Sequence, residues 1–134
     1  MNVLNVKIVC PDGEIFNENA ASILITTDSG EIQIMKGHAD LIAPIKTGRA
    51  KLGLPDGTER SAAASGGFVC VSKGDVTVVA TTFEFADTID LDRALKAREK
   101  AEELLKNSKT DKEIELARAK LARAISRISV ASSK

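Results

Sequence analysis

The sequence predicts an α+β protein: an N-terminal antiparallel β-sandwich or flattened barrel over residues 1–86, then a C-terminal antiparallel two-helix hairpin over residues 87–134. Three observations carry this. Apolar and polar residues alternate with period two through the first part. All nine glycines and all three prolines lie there, and they mark turns at short intervals. From Asp87 onward there is no Gly, no Pro and no aromatic residue, while Ala, Leu, Lys, Glu and Arg dominate.

Strand alternation is clear in Val3–Val9, Ile23–Thr27, Glu31–Ile34, Gly67–Val71 and Asp75–Ala80. Pro11-Asp12-Gly13, Asp28-Ser29-Gly30, Lys36-Gly37-His38, Pro55-Asp56-Gly57, Ser65-Gly66-Gly67 and Lys73-Gly74-Asp75 supply the turns. Each offers Gly for positive φ, or Pro and Asp to start a turn. No long helical pattern interrupts the series, which argues against a βαβ nucleotide fold.

Two helices come next. The first runs from Asp90 to about Lys106 with Asp90 as its N-cap. Its apolar stripe is Leu91, Ala94, Ala97, Ala101, Leu104 and Leu105. Asn107-Ser108-Lys109 is the break, and Thr110 with Glu113 forms a capping box. The second helix runs to about Val130 on a stripe of Ile114, Ala117, Leu121, Ala124, Ile125 and Ile128. Much of the contact surface is Ala, which has one methyl to bury, so the hairpin must lean on the β domain or on another protein. An element with two docking surfaces can act as a switch; a fixed decorative hairpin is the alternative.

Composition excludes several functions. The 134 residues carry 19 basic and 19 acidic side chains, which removes a protein-wide field aimed at nucleic acid or anionic lipid. With no Trp, no Tyr and four Phe, base-stacking platforms are not expected. Apolar runs fall far below the roughly 20 residues of a membrane span, and Met1-Asn2-Val3-Leu4 gives no sign of a signal peptide. Cys10 and Cys70 read as buried free thiols of a reducing compartment, with no spacing that indicates a disulfide. His38 is the single histidine, so neither a structural zinc site nor a Ser-His or Cys-His nucleophilic centre is expected.

Charge is unevenly divided, −3 over residues 1–86 and +3 over residues 87–134. Arg123 and Arg127, four apart, share a helix face off the apolar stripe. With Arg93 and Lys100 on the facing helix they could converge on one polyanion, since Arg presents a fork of donors suited to phosphate oxygens. A merely solvated basic face is the bland alternative. No Gly-rich phosphate loop is present, and no carboxylate pair is poised to hold magnesium and water, so binding without hydrolysis is the better-founded form of a nucleotide site.

These residues carry a resemblance. Asp28-Ser29-Gly30-Glu31-Ile32-Gln33-Ile34, then Gly37-His38-Ala39-Asp40-Leu41 and Ser65-Gly66-Gly67-Phe68-Val69, resemble the N-terminal sandwich of the epsilon subunit family of bacterial F-type ATP synthases. Ile89-Asp90-Leu91-Asp92-Arg93-Ala94 is similar to that family's Ile/Leu-Asp-x-x-Arg-Ala motif at the start of the hairpin. The likeness covers essentially the whole chain. It implies a non-catalytic rotor subunit at the cytoplasmic face of the bacterial membrane, peripheral and held there only through the complex. The implied partners are the gamma subunit, the polar loops of the c-ring and, through an extended hairpin, the alpha and beta subunits. The hairpin would hinder ATP hydrolysis when extended. No cofactor is required; ATP is implied as a regulatory ligand that favours the folded state in some bacterial members.

By the same resemblance, the ATP site comprises Glu84, Ile89, Asp90, Arg93, Ala94, Lys100, Arg123 and Arg127. Residues 84–94 would handle adenosine and the arginines the phosphates. Lys100 stands where nucleotide-binding relatives have Arg, which keeps the charge and loses the bidentate fork. Lys36 stands where the family usually has Pro. Glu31 and His38 would be subunit contacts. Competing readings are a stand-alone ATP sensor, a small hydrolase, and a nucleic-acid binder working through the basic hairpin. The last is weakened by nine interspersed acids and the absence of aromatics there.

Overall fold

The computed structural model describes residues 3–132 and leaves Met1, Asn2, Ser133 and Lys134 outside the described residues. Ten strands come first: β1 (Leu4–Cys10), β2 (Gly13–Ala20), β3 (Ser22–Thr27), β4 (Gly30–Met35), β5 (Leu41–Pro44), β6 (Gly48–Gly53), β7 (Glu59–Ser65), β8 (Phe68–Ser72), β9 (Asp75–Val79) and β10 (Thr82–Phe85). A 3-10 turn at Ala86–Thr88 leads into α1 (Leu91–Lys106) and α2 (Asp111–Ser132). The strands form two five-stranded sheets, one ordered β2-β1-β9-β8-β5 and the other β10-β7-β6-β3-β4.

Alternation sorts side chains between core and solvent. In β1, Leu4, Val6 and Ile8 point inward while Asn5 and Lys7 point out. Ile23, Ile25, Ile34 and Leu52 of the second sheet meet them across the sandwich, with Val69, Val71, Val76 and Val78 completing the core. One pairing departs from the antiparallel expectation: β1 runs parallel to β9, in register from Asn5↔Asp75 to Val9↔Val79. Both are interior strands whose inward residues Val6, Ile8, Val76 and Val78 are fully buried, while Asn5, Lys7 and Asp75 on the other face are exposed, so this parallel pair is covered on one face only.

The β7–β8 connection depends on glycine. Gly66 and Gly67 both have positive φ, and a Cβ on Gly67 would fall 1.7 Å from the Val79 carbonyl oxygen. No other residue fits a backbone that passes so close to its neighbour.

Five strands lie where no alternation is visible. Gly13–Ala20 buries only Phe16 and Ala20 and forms a sheet edge, as do the short β5 and β10. β6 and β7 are hidden for the opposite reason: they are covered on both faces. Ala62 and Ala64 face the sandwich core, whereas Ala63 faces outward against Ala86, Ile89 and Val130. That outer face is where the hairpin rests.

The hairpin's caps match the sequence. Asp90 accepts from the Arg93 amide at 3.1 Å. Thr110 Oγ1 accepts from the Glu113 amide at 3.1 Å, and Glu113 Oε2 accepts from the Lys109 amide at 2.8 Å, one residue before the expected partner. The stripes are narrower than expected. On α1 only Ala94 and Ala101 are fully buried, and Leu91 and Leu104 are exposed. On α2, Ala117, Ala124 and Val130 are buried, while Ile125 is 50% exposed. Close helix approach through alanines leaves the flanking long side chains outside the seam. Cys10 and Cys70 are free but only half-buried, on strands of the same sheet with β9 between them.

Candidate functional site

The segment between the sandwich and α1 is held by Arg60 of β7. Its guanidinium lies 3.7 Å over the Phe85 ring and 3.7 Å from Asp87 Oδ1. Phe85 in turn packs edge-on to Phe83 and tilts against Phe16. Thr88 Oγ1 donates to the Phe85 carbonyl at 2.8 Å, which closes the 3-10 turn. The turn delivers Ile89 into the small apolar contact with Ala63, Ala86 and Val130 and leaves Asp90 to cap α1.

This path brings β10, the turn, α1 and α2 around one cleft. A cavity of about 420 Å³ is lined by Glu84, Thr88, Ile89, Asp90, Arg93, Ala94, Ala97 and Arg127. Arg127 crosses from α2 to β10, where its Nε donates to Glu84 Oε1 at 2.6 Å. Both partners are about one-third exposed, so the pair contributes little more than about 1 kcal/mol while fixing the register of helix on sheet. A second cavity, of about 340 Å³, continues between the helices past Ala97 and Arg127, bounded by Lys100, Ala101, Leu104, Lys120 and Arg123.

All eight residues of the expected nucleotide site therefore border one of two adjoining cavities that share Ala97 and Arg127. Glu84, Ile89, Asp90, Arg93 and Ala94 gather at the sandwich end. Lys100 and Arg123 stand at the other. Five lining residues lie outside that set: Thr88, Ala97, Ala101, Leu104 and Lys120, of which Ala97, Ala101 and Leu104 belong to the expected apolar stripe of α1. Thr88 sits in the 3-10 turn, whose direction no periodicity reveals. Ala97 lies between Arg93 and Lys100 on the same face of α1, and Lys120 lies one turn before Arg123 on α2; both were readable from helical spacing.

Glu31 and His38 are not brought together. Glu31 stands near the start of the edge strand β4 and His38 in the turn beyond its end, with residues 31–35 alone spanning about 13 Å of extended chain. Glu31 takes both nitrogens of the Arg49 fork from β6, Nη2 donating to Oε1 at 3.1 Å and Nε to Oε2. This hydrogen bonding holds the Glu31 carboxyl below the ordinary glutamate range and raises Arg49. His38 occupies the turn after β4, its amide donating to the Met35 carbonyl at 3.0 Å and its Nδ1 in contact with the Ala39 carbonyl at 2.7 Å. Among the described residues no helix is long and apolar enough to cross a membrane.

Comparison with known proteins settles the family. Residues 3–86 match the beta-sandwich domain, and residues 87–132 the long alpha-helix domain, of the ATP synthase delta/epsilon chain. The chain is 41% identical to the ATP synthase epsilon chain of Staphylococcus aureus over 135 aligned positions that span all of both proteins. This chain belongs to the ATP synthase epsilon chain family. The epsilon chain of Bacillus velezensis is 37% identical over 131 residues, 98% of each protein. Among solved structures, a chain of the Euglena gracilis mitochondrial ATP synthase superposes with a TM-score of 0.84 at 22% identity, over 97% of this chain and 81% of that one. A chain of the Tetrahymena thermophila mitochondrial ATP synthase central stalk/c-ring superposes with a TM-score of 0.64 at 13% identity, over 96% and 93%. At these identities the likeness speaks for the fold, a sandwich followed by a helical hairpin. As an epsilon-family chain the protein is read as a subunit of a larger machine, and the cleft is read as a feature of that subunit.

Proposed function

We propose that the chain is a non-catalytic central-stalk subunit of an F-type ATP synthase whose hairpin is a nucleotide-dependent brake. The observation that carries this reading is the composition of the cleft. Glu84 belongs to the sandwich, Arg93 and Lys100 to α1, Arg123 and Arg127 to α2; the second cavity lies between the helices alone, whereas the first has Glu84 as a wall and closes only while the hairpin rests on the outer sheet face. ATP would seat its adenosine by Glu84, Ile89, Asp90 and Ala94 and its phosphates among the basic side chains. A ligand that binds only the folded pose shifts the population toward that pose.

Weak docking makes such a shift attainable. Ile89 and Val130, with three alanines, form most of the apolar contact between hairpin and sandwich, a few kcal/mol at most. When the hairpin swings away, its exposed Leu91, Leu104, Leu116 and Ile125 offer a second apolar surface to the gamma, alpha and beta subunits, the pose that would oppose hydrolysis. The sandwich would remain on the rotor, where exposed Ile42 on the edge strand β5 and Phe68 on its neighbour β8 offer an apolar face to a partner such as gamma. Glu31 near the start of β4 and His38 in the turn after it would meet the gamma subunit and the c-ring loops separately.

Calorimetric titration of the isolated chain with ATP tests the ligand, and the doubly substituted Arg123→Ala/Arg127→Ala chain is the control. Saturable heat in the wild type that disappears in the control is expected; equal heats, or none, would refute ATP binding. Removing residues 87–134 from the assembled complex should raise its ATP hydrolysis; an unchanged rate would refute the brake.

A further inference from the structure

The cleft is not electrically uniform along its length. At the sandwich end two carboxylates, Glu84 and Asp90, stand with two guanidinium groups, Arg93 and Arg127, and the four charges cancel. At the far end Lys100, Lys120, Arg123 and Arg127 line the space, and no carboxylate is among them. Glu84 takes Arg127, and among the described residues the ion pairs give Lys100, Lys120 and Arg123 no acidic partner. Cations confined around one cavity raise one another's energy, and a polyanion relieves that repulsion.

Lys120 occupies the end of this row. It lies three residues before Arg123 and seven before Arg127, on the same face of α2. At 1.5 Å per residue, Arg123 is displaced about 6 Å and Lys120 about 10 Å along the axis from Arg127. Its neighbours one turn away in either direction are Leu116, Ala117, Arg123 and Ala124, so its own helix supplies no acid to neutralise it. An anion anchored by its nucleoside at Glu84 and Asp90 passes Arg127 first, then Arg123, and meets Lys120 only if it is long enough.

We infer that Lys120, a residue outside the set that the family resemblance implies, receives the terminal phosphate of a bound nucleoside triphosphate and makes the cleft sensitive to phosphate number. The inference rests on the nucleotide reading of this cleft and adds to it a residue, Lys120, as the one on which discrimination by phosphate number depends. Adding a phosphate moves charge from the neutral end of the cleft into its cationic end. The step from diphosphate to triphosphate is the one that reaches Lys120, so removal of this side chain should fall on ATP and largely spare ADP.

The test is equilibrium titration of the full chain with ATP, ADP and AMP, for the wild type, Lys120→Ala, Lys120→Arg and Lys112→Ala. Lys112 is an exposed lysine of α2 outside both cavities and controls for net charge. Alanine is a good helix former at an exposed site, and unchanged circular dichroism would verify that α2 is intact. The expected result is an ATP Kd raised about tenfold in Lys120→Ala with the ADP Kd changed less than twofold, so that the ATP-to-ADP preference collapses. Lys120→Arg should keep the preference, Lys112→Ala should match the wild type, and ATP affinity should fall less steeply with salt in Lys120→Ala. If Lys120→Ala binds ATP as the wild type does, or loses ATP and ADP by the same factor, the inference is overturned while the nucleotide site stands. If the wild type takes up no ATP, the site reading fails and this inference fails with it.

Discussion

The sandwich and the hairpin bury very different side chains. Between the sheets lie Ile23, Ile25, Ile34, Leu52 and a set of valines, all at or near zero exposure. Along the helix seam the fully buried residues are Ala94, Ala101, Ala117 and Ala124. A buried Ile or Val contributes roughly 1.5–3 kcal/mol, and a methyl about 0.8. The sandwich can therefore stand on its own contacts, whereas the hairpin depends on whatever surface it lies against. The same contrast separates a self-sufficient platform from an appended element held by weaker contacts.

The largest effect expected from breaking this contrast is in the platform. Ile25→Ala leaves a hole at a fully buried position facing the opposite sheet and should cost about 3–4 kcal/mol. Urea unfolding should show the main transition moved to lower denaturant. A loss below about 1 kcal/mol would mean that the two sheets are not packed as described.

Val130→Ala sharpens the comparison from the other side. Val130 sits near the end of α2 against Ala63, Ala86 and Ile89, and shortening it should cost about 2 kcal/mol of docking while leaving the sandwich transition in place. Hydrogen exchange should report it, with amides of residues 111–132 losing protection and those of β1, β3 and β9 unaffected. Uniform loss of protection would instead make hairpin and sandwich one cooperative unit.

The contrast also governs what could be read from the sequence. Strands with one buried face declared themselves: the Leu4/Val6/Ile8 alternation gives β1 directly, and Ile23/Ile25 gives β3. The hairpin followed from Asp90, Thr110 and Glu113, whose capping is local. β7 stayed hidden because Ala62-Ala63-Ala64-Ser65 is buried on both faces, and small residues packed under a helix show no alternation. The parallel β1–β9 pair was illegible too, since register between strands some 70 residues apart depends on how the chain returns. At the site, Arg123 and Arg127 were visible from spacing, but Glu84 came only by family resemblance: nothing in Thr82-Phe83-Glu84-Phe85 says that Glu84 will meet an arginine 43 residues later.

The smallest effect lies at an exposed ion pair on the platform, away from the hairpin. Arg49 donates two hydrogen bonds to Glu31, which lowers the folded-state pKa of the carboxyl relative to the unfolded chain. Linkage fixes the sign. The carboxylate's contribution to stability is present above the unfolded pKa of about 4.5 and is lost as pH falls through the lower folded value. Because both side chains are exposed to solvent, the effect should appear in the titration far more than in the unfolding free energy. NMR titration of the Glu31 side chain should place its midpoint below that of exposed glutamates such as Glu18, and Arg49→Ala should return it to the ordinary range. A midpoint indifferent to Arg49 would show that the bidentate contact does not persist in solution, leaving Glu31 available to an arginine or lysine on a neighbouring subunit.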